Sequence, residues 1–420
     1  MTITLSAPPH AAMTTNAIEK ANPAIIAALN GAPASFKAVA FACLNLKNGQ
    51  MLARLPNGRQ WLFGTEGSGP IAHLHIVDYG FAKRCITDGD IGFAEGYMAG
   101  EWDSPDLAGL LTFLSDNADR IRRIFRGDMM RRFTHWLSHL KRENTLKGSR
   151  ENILAHYDLG NAFYAAWLDP TMTYSSARFD APGQDLSEAQ LAKYRAIAHM
   201  IDLKPGEHVL EIGCGWGGFA EVAAKEFGAR VTGVTLSDEQ LAFAQARIQR
   251  EGLNERVDLR IQDYRVVDGA FDKIASIEMF EAVGEKYWPA YFSKVASVLK
   301  PGGRAGLQVI TIRDDLFEDY NSRVDFIQRY IFPGGMLPSV GRFKQEVAKA
   351  GLKLIDMSAF GLSYADTLAR WTERFKSAWS DVQKLGFDER FKRMWLFYLS
   401  YCEAGFRSQR TDVVQAALVR

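Results

Sequence analysis

The sequence predicts an α/β protein in which a mostly parallel sheet, covered by helices on both faces, follows a smaller α+β domain. From about residue 200 strands and helices alternate, and repeated βα units set their strands parallel. Before residue 120 the segments are short and divided by turn residues, and they give way to helical patterns. A chain of 420 residues also exceeds what one hydrophobic core usually serves, so two domains or one enlarged domain are expected.

Residues 1–34 are rich in Ala, Thr, Asn and Pro with little positive charge, which reads as a flexible tail and not as an export signal. Residues 35–119 then form the N-terminal domain. Gln50–Leu55, Arg59–Phe63 and Ala72–Val77 read as antiparallel strands separated by Asn57-Gly58 and Gly67-Ser68-Gly69-Pro70. After Gly89-Asp90 the pattern changes, and Ile91–Met98 and Leu107–Leu114 read as helices, the second opened by Ser104-Pro105-Asp106.

Residues 120–150 carry Arg122, Arg123, Arg126, Arg131 and Arg132 beside Ile121, Ile124, Phe125, Met129 and Phe133, a basic face next to an apolar stripe. Such a helix can lie on anionic lipid, or it can be an interdomain helix with solvated arginines. A boundary is expected near residues 144–149, with 151–420 as the larger domain.

In that domain His208–Ile212, Arg230–Thr235, Val257–Ile261, Asp272–Ile277 and Ala305–Thr311 read as strands. Helices are expected over Gly217–Phe227, Glu239–Glu251 and Tyr291–Leu299, with a stop at Lys300-Pro301-Gly302-Gly303. Ligands of such sheets bind at the carboxyl ends of the strands.

Composition removes several function classes. Fifty basic and 49 acidic residues nearly cancel, which argues against a surface built for nucleic acid. No apolar run reaches the ~20 residues of a membrane helix. Cys43, Cys85, Cys214 and Cys402 lack CxxC spacing, so neither a metal site nor a disulfide framework is expected, and a reducing cytoplasm fits.

At the end of the first strand of the larger domain stands Glu211-Ile-Gly213-Cys214-Gly215-Trp-Gly217-Gly218, which satisfies GxGxxG. That pattern is shared by dinucleotide and S-adenosylmethionine sites. A nicotinamide enzyme would end the next strand on Asp or Glu for the ribose hydroxyls. Here that strand ends Thr235-Leu236-Ser237, so hydride chemistry is demoted.

With the neighbouring motifs the chain resembles the cyclopropane fatty acid synthase family of S-adenosylmethionine-dependent methyltransferases, which includes the mycolic acid cyclopropane synthases. The resemblance runs through His156-Tyr-Asp-Leu-Gly160, Met172-Thr-Tyr174-Ser175-Ser176, Val209–Gly218, Gly233–Ser237, Gln262–Arg265, Met279-Phe280-Glu281, Tyr330–Gly334 and Glu373-Arg374-Phe375. Gly89–Asp103 looks like its bacterial phospholipid-acting members. The resemblance implies a class I, Rossmann-like methyltransferase domain behind a lipid-binding N-terminal domain. It also implies that Tyr174, Ser175, Gly213, Cys214 and Gly215 hold the amino acid end of S-adenosylmethionine, Thr235, Leu236 and Gln240 its ribose, and Asp263 and Tyr264 its adenine.

The family's reaction is attack by an acyl-chain double bond on the activated methyl, leaving a carbocation that a base must deprotonate. Cyclopropane synthases are understood to use bicarbonate held by Cys, Glu, His and Tyr. This chain keeps Glu281 but has Ser176, Gln308 and Thr372 where the motifs carry Cys, His and Tyr, so bicarbonate binding is in doubt. His156, Tyr330 and, weakly, Cys402 complete the candidate catalytic residues.

The expected activity is C-methylation of unsaturated phospholipid acyl chains with a methyl, methylene or furan-type product. A true cyclopropane synthase and a non-catalytic lipid-binding homologue are the alternatives. Expected partners are a membrane surface at the inner face of the cytoplasmic membrane, a second copy in a homodimer, and a reductase or oxidase consuming the product, with no nucleic acid.

Overall fold

The computed structural model describes residues 17–65, 69–120 and 159–420. The basic segment 120–150 beyond its first residue, the expected boundary and His156 lie outside the described residues. The chain divides into two compact units, one running through Phe113 and the other containing residues 125–420.

In the first unit β1 (Ile18–Lys20), β2 (Gln50–Arg54), β3 (Gln60–Gly64), β4 (Ala72–Ile76) and β5 (Trp102–Asp103) form one sheet in the order β1-β3-β2-β4-β5. The Asn57-Gly58 turn works as expected: Gly58 has φ 84°, and β2 and β3 form an antiparallel hairpin. The antiparallel expectation fails for β4, which runs parallel to β2. A three-residue turn between Leu55 and Arg59 forces reversal, whereas the longer connection after β3 skips one strand and starts β4 where β3 ends.

The flexible-tail expectation is also corrected from residue 17 on. β1 pairs with β3, and Arg59 grips Glu19 through two bonds of 2.9 and 2.7 Å. Asn22 caps α1 (Pro23–Ala27) by accepting from the N–H groups of Ala24 and Ile25, with Pro23 in the first turn. Ile26 and Leu29 are buried. A composition poor in charge concealed a cap signature and two core residues.

α2 (Ala34–Cys43), α3 (Gly80–Met98) and α4 (Leu107–Asp116) complete this part of the chain. The expected break at Gly89 is a kink inside α3, where Gly89 takes φ 60° and ψ −128°, and the segment Ile91–Met98 is helical. Trp102, fully buried, stacks on Phe93 at 4.1 Å and donates its indole N–H to the Phe93 carbonyl.

The second unit is built on a seven-stranded sheet in the order β11-β12-β10-β9-β6-β7-β8. β6 (His208–Ile212), β7 (Arg230–Thr235), β8 (Val257–Ile261), β9 (Phe271–Ile277) and β10 (Leu299–Ile312) are parallel, and β12 (Thr411–Val419) runs antiparallel between β10 and β11 (Lys353–Ala359). The expected stop at Lys300–Gly303 is a bulge within β10, where the register to β9 shifts and Gly302 adopts φ 74°.

The central strands are apolar on both faces because helices cover both. α6 (Leu186–Met200), α7 (Gly218–Glu226) and α8 (Asp238–Arg250) bury Tyr194, Ile197, Phe219, Val222 and Ile248 on one face. α9 (Trp288–Val298) and α12 (Val340–Lys349) bury Trp288, Tyr291, Phe292, Phe343 and Val347 on the other. Two shorter helices, α10 (Asp314–Asn321) and α11 (Phe326–Tyr330), lead from β10 to α12.

A third, aromatic cluster joins α5 (Gly160–Trp167), α13 (Gly361–Ser377) and, beyond the short α14 (Trp379–Lys384), α15 (Glu389–Arg407). In it Phe163 meets Trp395 at 5.0 Å and Trp167 meets Trp371 at 5.8 Å.

Gly306 of β10 lets α6 approach, since a Cβ there would sit 2.7 Å from Ile201 Cγ2 and 3.1 Å from Ile197 Cγ2. Gly306→Val should therefore overpack this contact and cost about 1–3 kcal/mol, read as a lowered urea midpoint with unchanged slope.

Candidate active site

The glycine turn lies at the carboxyl end of β6. Gly213, Gly215 and Gly217 take φ of 82°, 50° and 80°, a left-handed run that only glycine adopts cheaply. The surroundings separate their roles. A Cβ on Gly213 would strike Met279 at 2.7 Å and one on Gly218 the Tyr194 ring, while one on Gly215 would meet nothing within 4 Å. Gly215 thus presents bare backbone to open space, as a cradle for a ligand must. Cys214 is buried, and burial pushes its thiol well up, so its side chain packs while its backbone shapes the turn.

The neighbouring strand ends carry the other expected residues. Thr235 donates to Gln240 Oε1 at 3.1 Å, which leaves the amide nitrogen as the donor end of Gln240. Leu236 is half-buried beside them. After β8, the Asp263 carboxylate accepts from the Arg265 side chain at 2.9 and 2.6 Å, so it is already engaged by a cation. Tyr264 packs on Tyr291 at 5.4 Å. On the segment before α6, the Tyr174 hydroxyl meets that of Tyr398 at 2.7 Å, and its ring lies against Trp371 at 5.2 Å. Ser175 is buried and its Oγ accepts from Lys193 Nζ at 2.6 Å.

The expected anion cluster is assembled in part, around a residue that sequence reasoning missed. Glu278 follows β9 with φ 50°, one of four non-glycine residues of positive φ among the described residues. Its Oε1 accepts from Ser176 N–H at 2.8 Å and Gln308 Nε2 at 2.7 Å, and its Oε2 from the Tyr364 hydroxyl at 2.7 Å. Gln308 is held in turn: its Oε1 accepts from Gln415, its cross-strand partner on β12, at 3.0 Å, and Gln415 accepts from Arg178 at 2.9 Å.

Burial raises the Glu278 carboxyl, against the Lys193 charge and these three bonds. Lys193, fully buried, also donates to Gln190 Oε1 at 2.7 Å, and burial lowers it to about 7 against the pull of Glu278.

Glu281 is half-buried beside this cluster, with one carboxylate oxygen shut off from solvent. One carboxylate oxygen accepts from the Ile310 N–H and the other has no partner. Burial, then the Glu278 charge, lift Glu281 to about 8.

Thr372 is buried on α13 with its hydroxyl unpartnered, and the tyrosine that reaches the cluster is Tyr364, two helical turns earlier. Tyr330 packs on Phe326 at 5.3 Å. Burial pushes the Cys402 thiol far up, which removes thiolate chemistry. The missed residues left a faint trace, since Gln190 and Lys193 fall on the apolar stripe of α6 and Glu278 stands three residues before Glu281. Among the described residues no cluster of side chains could hold a metal ion.

A parallel sheet with a β6 glycine turn, no acid ending β7 and an antiparallel β12 defines a class I S-adenosylmethionine-dependent methyltransferase. Residues 144–416 match the family described as mycolic acid cyclopropane synthetase. The chain belongs to that family.

It is 40% identical over 84% of its length to a tuberculostearic acid methyltransferase of Mycobacterium tuberculosis, covering 83% of that protein. It is 37% identical to the cyclopropane-fatty-acyl-phospholipid synthase of Escherichia coli over 84% of this chain and 89% of that one. A mycolic acid cyclopropane synthase solved with SAH and CTAB superposes with TM-score 0.61 at 29% identity, over 64% of this chain and 98% of that one.

Two outcomes are expected. Gly215→Ala should lower S-adenosylmethionine affinity at least roughly tenfold in calorimetry, while the strain of a left-handed alanine costs only about 1–2 kcal/mol of stability. Unchanged affinity would place the ligand elsewhere.

Glu281, with its folded pKa raised, binds more protons folded than unfolded between about 4.5 and 8, so its contribution to stability falls as pH rises through that window. Glu281→Gln should therefore gain on the parent by a few kcal/mol between pH 5 and pH 8, read from urea midpoints at both.

Proposed function

We propose that this enzyme transfers a methyl group to the double bond of unsaturated phospholipid acyl chains and yields a methylene- or methyl-bearing chain in preference to a cyclopropane. The observation that carries this is the base cluster, where the Ser176 main-chain N–H and the Gln308 amide donate to Glu278 in place of an open anion cup. A relative named as a tuberculostearic acid methyltransferase supports the same reading.

Bound at the Gly213–Gly215 turn, S-adenosylmethionine supplies an electrophilic methyl. On this reading Tyr174, Ser175 and the turn backbone hold its amino acid end, Thr235, Leu236 and Gln240 its ribose, and Tyr264 its adenine. The aromatic wall of Trp167, Tyr174 and Trp371 shelters the developing cation from water and offers π faces to it. Bicarbonate does not fit the side chains present, because the Gln308 amide and the Tyr364 hydroxyl already serve Glu278 and the Ser176 hydroxyl donates to the Ala177 carbonyl.

Once the double bond carries the methyl, positive charge sits on the neighbouring carbon. Hydride migration brings the charge to the methylated carbon, and loss of a methyl proton then gives a methylene branch on the chain. A reductase acting afterwards would leave a methyl branch, and an oxidase would lead toward a furan.

Access to lipid is proposed at the membrane surface, through the basic segment 120–150, whose arginines stand beside apolar residues, and the N-terminal unit. A homodimer would present two such sites to one surface.

The product decides the reading. Ring and methylene lipids have equal mass, so the chains formed from S-adenosylmethionine and unsaturated phosphatidylglycerol vesicles should be cleaved with ozone before mass spectrometry. Cleavage at the added carbon is expected, and a product that resists ozone and shows cyclopropane protons by NMR refutes the methylene assignment.

A further inference from the structure

We propose that Glu278, held by Ser176, Gln308 and Tyr364, is the base that takes the proton from the methylated cation, a carboxylate built into the chain in the role that bound bicarbonate fills in cyclopropane synthases. The proposal rests on the reading of the enzyme as an acyl-chain methyltransferase and names the group that completes its reaction.

Three observations converge on Glu278 over Glu281. The first is donor count. Glu278 collects three hydrogen bonds and faces the Lys193 charge, whereas Glu281 has one bond and an unpartnered oxygen. Two adjacent carboxyls cannot both ionise cheaply, so the charge resides on the one with more donors. Glu281, lifted to about 8, is then largely protonated at neutral pH and unsuited to receive a proton.

The second observation is backbone strain. A non-glycine residue at φ 50° costs about 1–3 kcal/mol and persists where the surroundings over-determine it. Here the Glu278 N–H is tied to the Gln308 carbonyl at 2.8 Å, so the same β10 residue holds both the backbone and the side chain of Glu278.

The third is the place of the donors. The Ser176 main-chain N–H and the Gln308 amide stand at two of the positions that the family resemblance assigns to bicarbonate, and Tyr364 supplies the hydroxyl that Thr372 does not.

In the proton transfer a Glu278 oxygen forms the new O–H bond, and the electrons of the broken C–H bond become the second bond of the methylene. The carboxylic acid formed loses its proton to solvent after product release, so no added base or oxidant is consumed.

The test uses the full-length enzyme with unsaturated phosphatidylglycerol vesicles. Glu278→Gln keeps the shape and removes the charge. Glu278→Gly relieves the backbone and opens the cup, so folding is not at risk from strain.

Both variants should bind S-adenosylmethionine within about threefold of the parent and lose turnover by roughly 10²–10⁴-fold. Formate or bicarbonate should restore Glu278→Gly by at least about tenfold without helping Glu278→Gln, and the parent should ignore bicarbonate. Near-parental turnover in Glu278→Gln, a parent stimulated by bicarbonate, or a cofactor-binding Glu278→Gly that no anion restores would each overturn the assignment. The ozone-resistant or ozone-cleaved character of the parent's product is read separately, so an error about the product and an error about the base give different results.

Discussion

The Glu278 carboxylate ties the catalytic unit together. Taking it out of water costs several kcal/mol, and the cost is offset only because three donors and a nearby ammonium converge on it. Each hydrogen bond to a charged group contributes about 1.5–3 kcal/mol. Those donors come from the segment before α6, from β10 and from α13, and Lys193 comes from α6. One side chain at the end of β9 therefore fixes the mutual placement of four other pieces of chain.

The supports behind that carboxylate extend the same logic outward. Gln308 cannot turn away, because its oxygen is taken by Gln415 on the adjacent strand and Gln415 is taken by Arg178. β12 thus has a role beyond closing the sheet, since its antiparallel register puts Gln415 opposite Gln308. Gly306, two residues earlier on β10, lets α6 approach closely enough to deliver Lys193 and Gln190 to Ser175. The polar network is buried but well paired, a condition under which it specifies one arrangement of its elements.

The cofactor half of the site follows from simpler physics. Left-handed glycines at the end of β6 expose backbone that no side chain covers at Gly215, and the ends of β7 and β8 lie beside it because parallel strands finish on one edge. A buried cation braces this half too, since Arg247 of α8 donates to the Trp216 carbonyl of the turn at 3.0 Å.

Periodicity and turn chemistry alone determined the sheet strands β6 through β9 and the glycine turn, because those features depend on neighbours in the chain. The missing acid at the end of β7 demoted nicotinamide chemistry by the same local rule. What the sequence could not determine was long-range.

Ser176 and Gln308 read as substitutions that weakened an anion site until the fold brought Glu278 between them, and Tyr364 replaced Thr372 as the hydroxyl at the cluster. The strand β1 and the parallel setting of β4 likewise waited for partners remote in sequence. Local patterns report what a residue does to its own backbone. Which buried carboxylate carries the charge depends on donors gathered from up to about a hundred residues away, and only tertiary structure sets that balance.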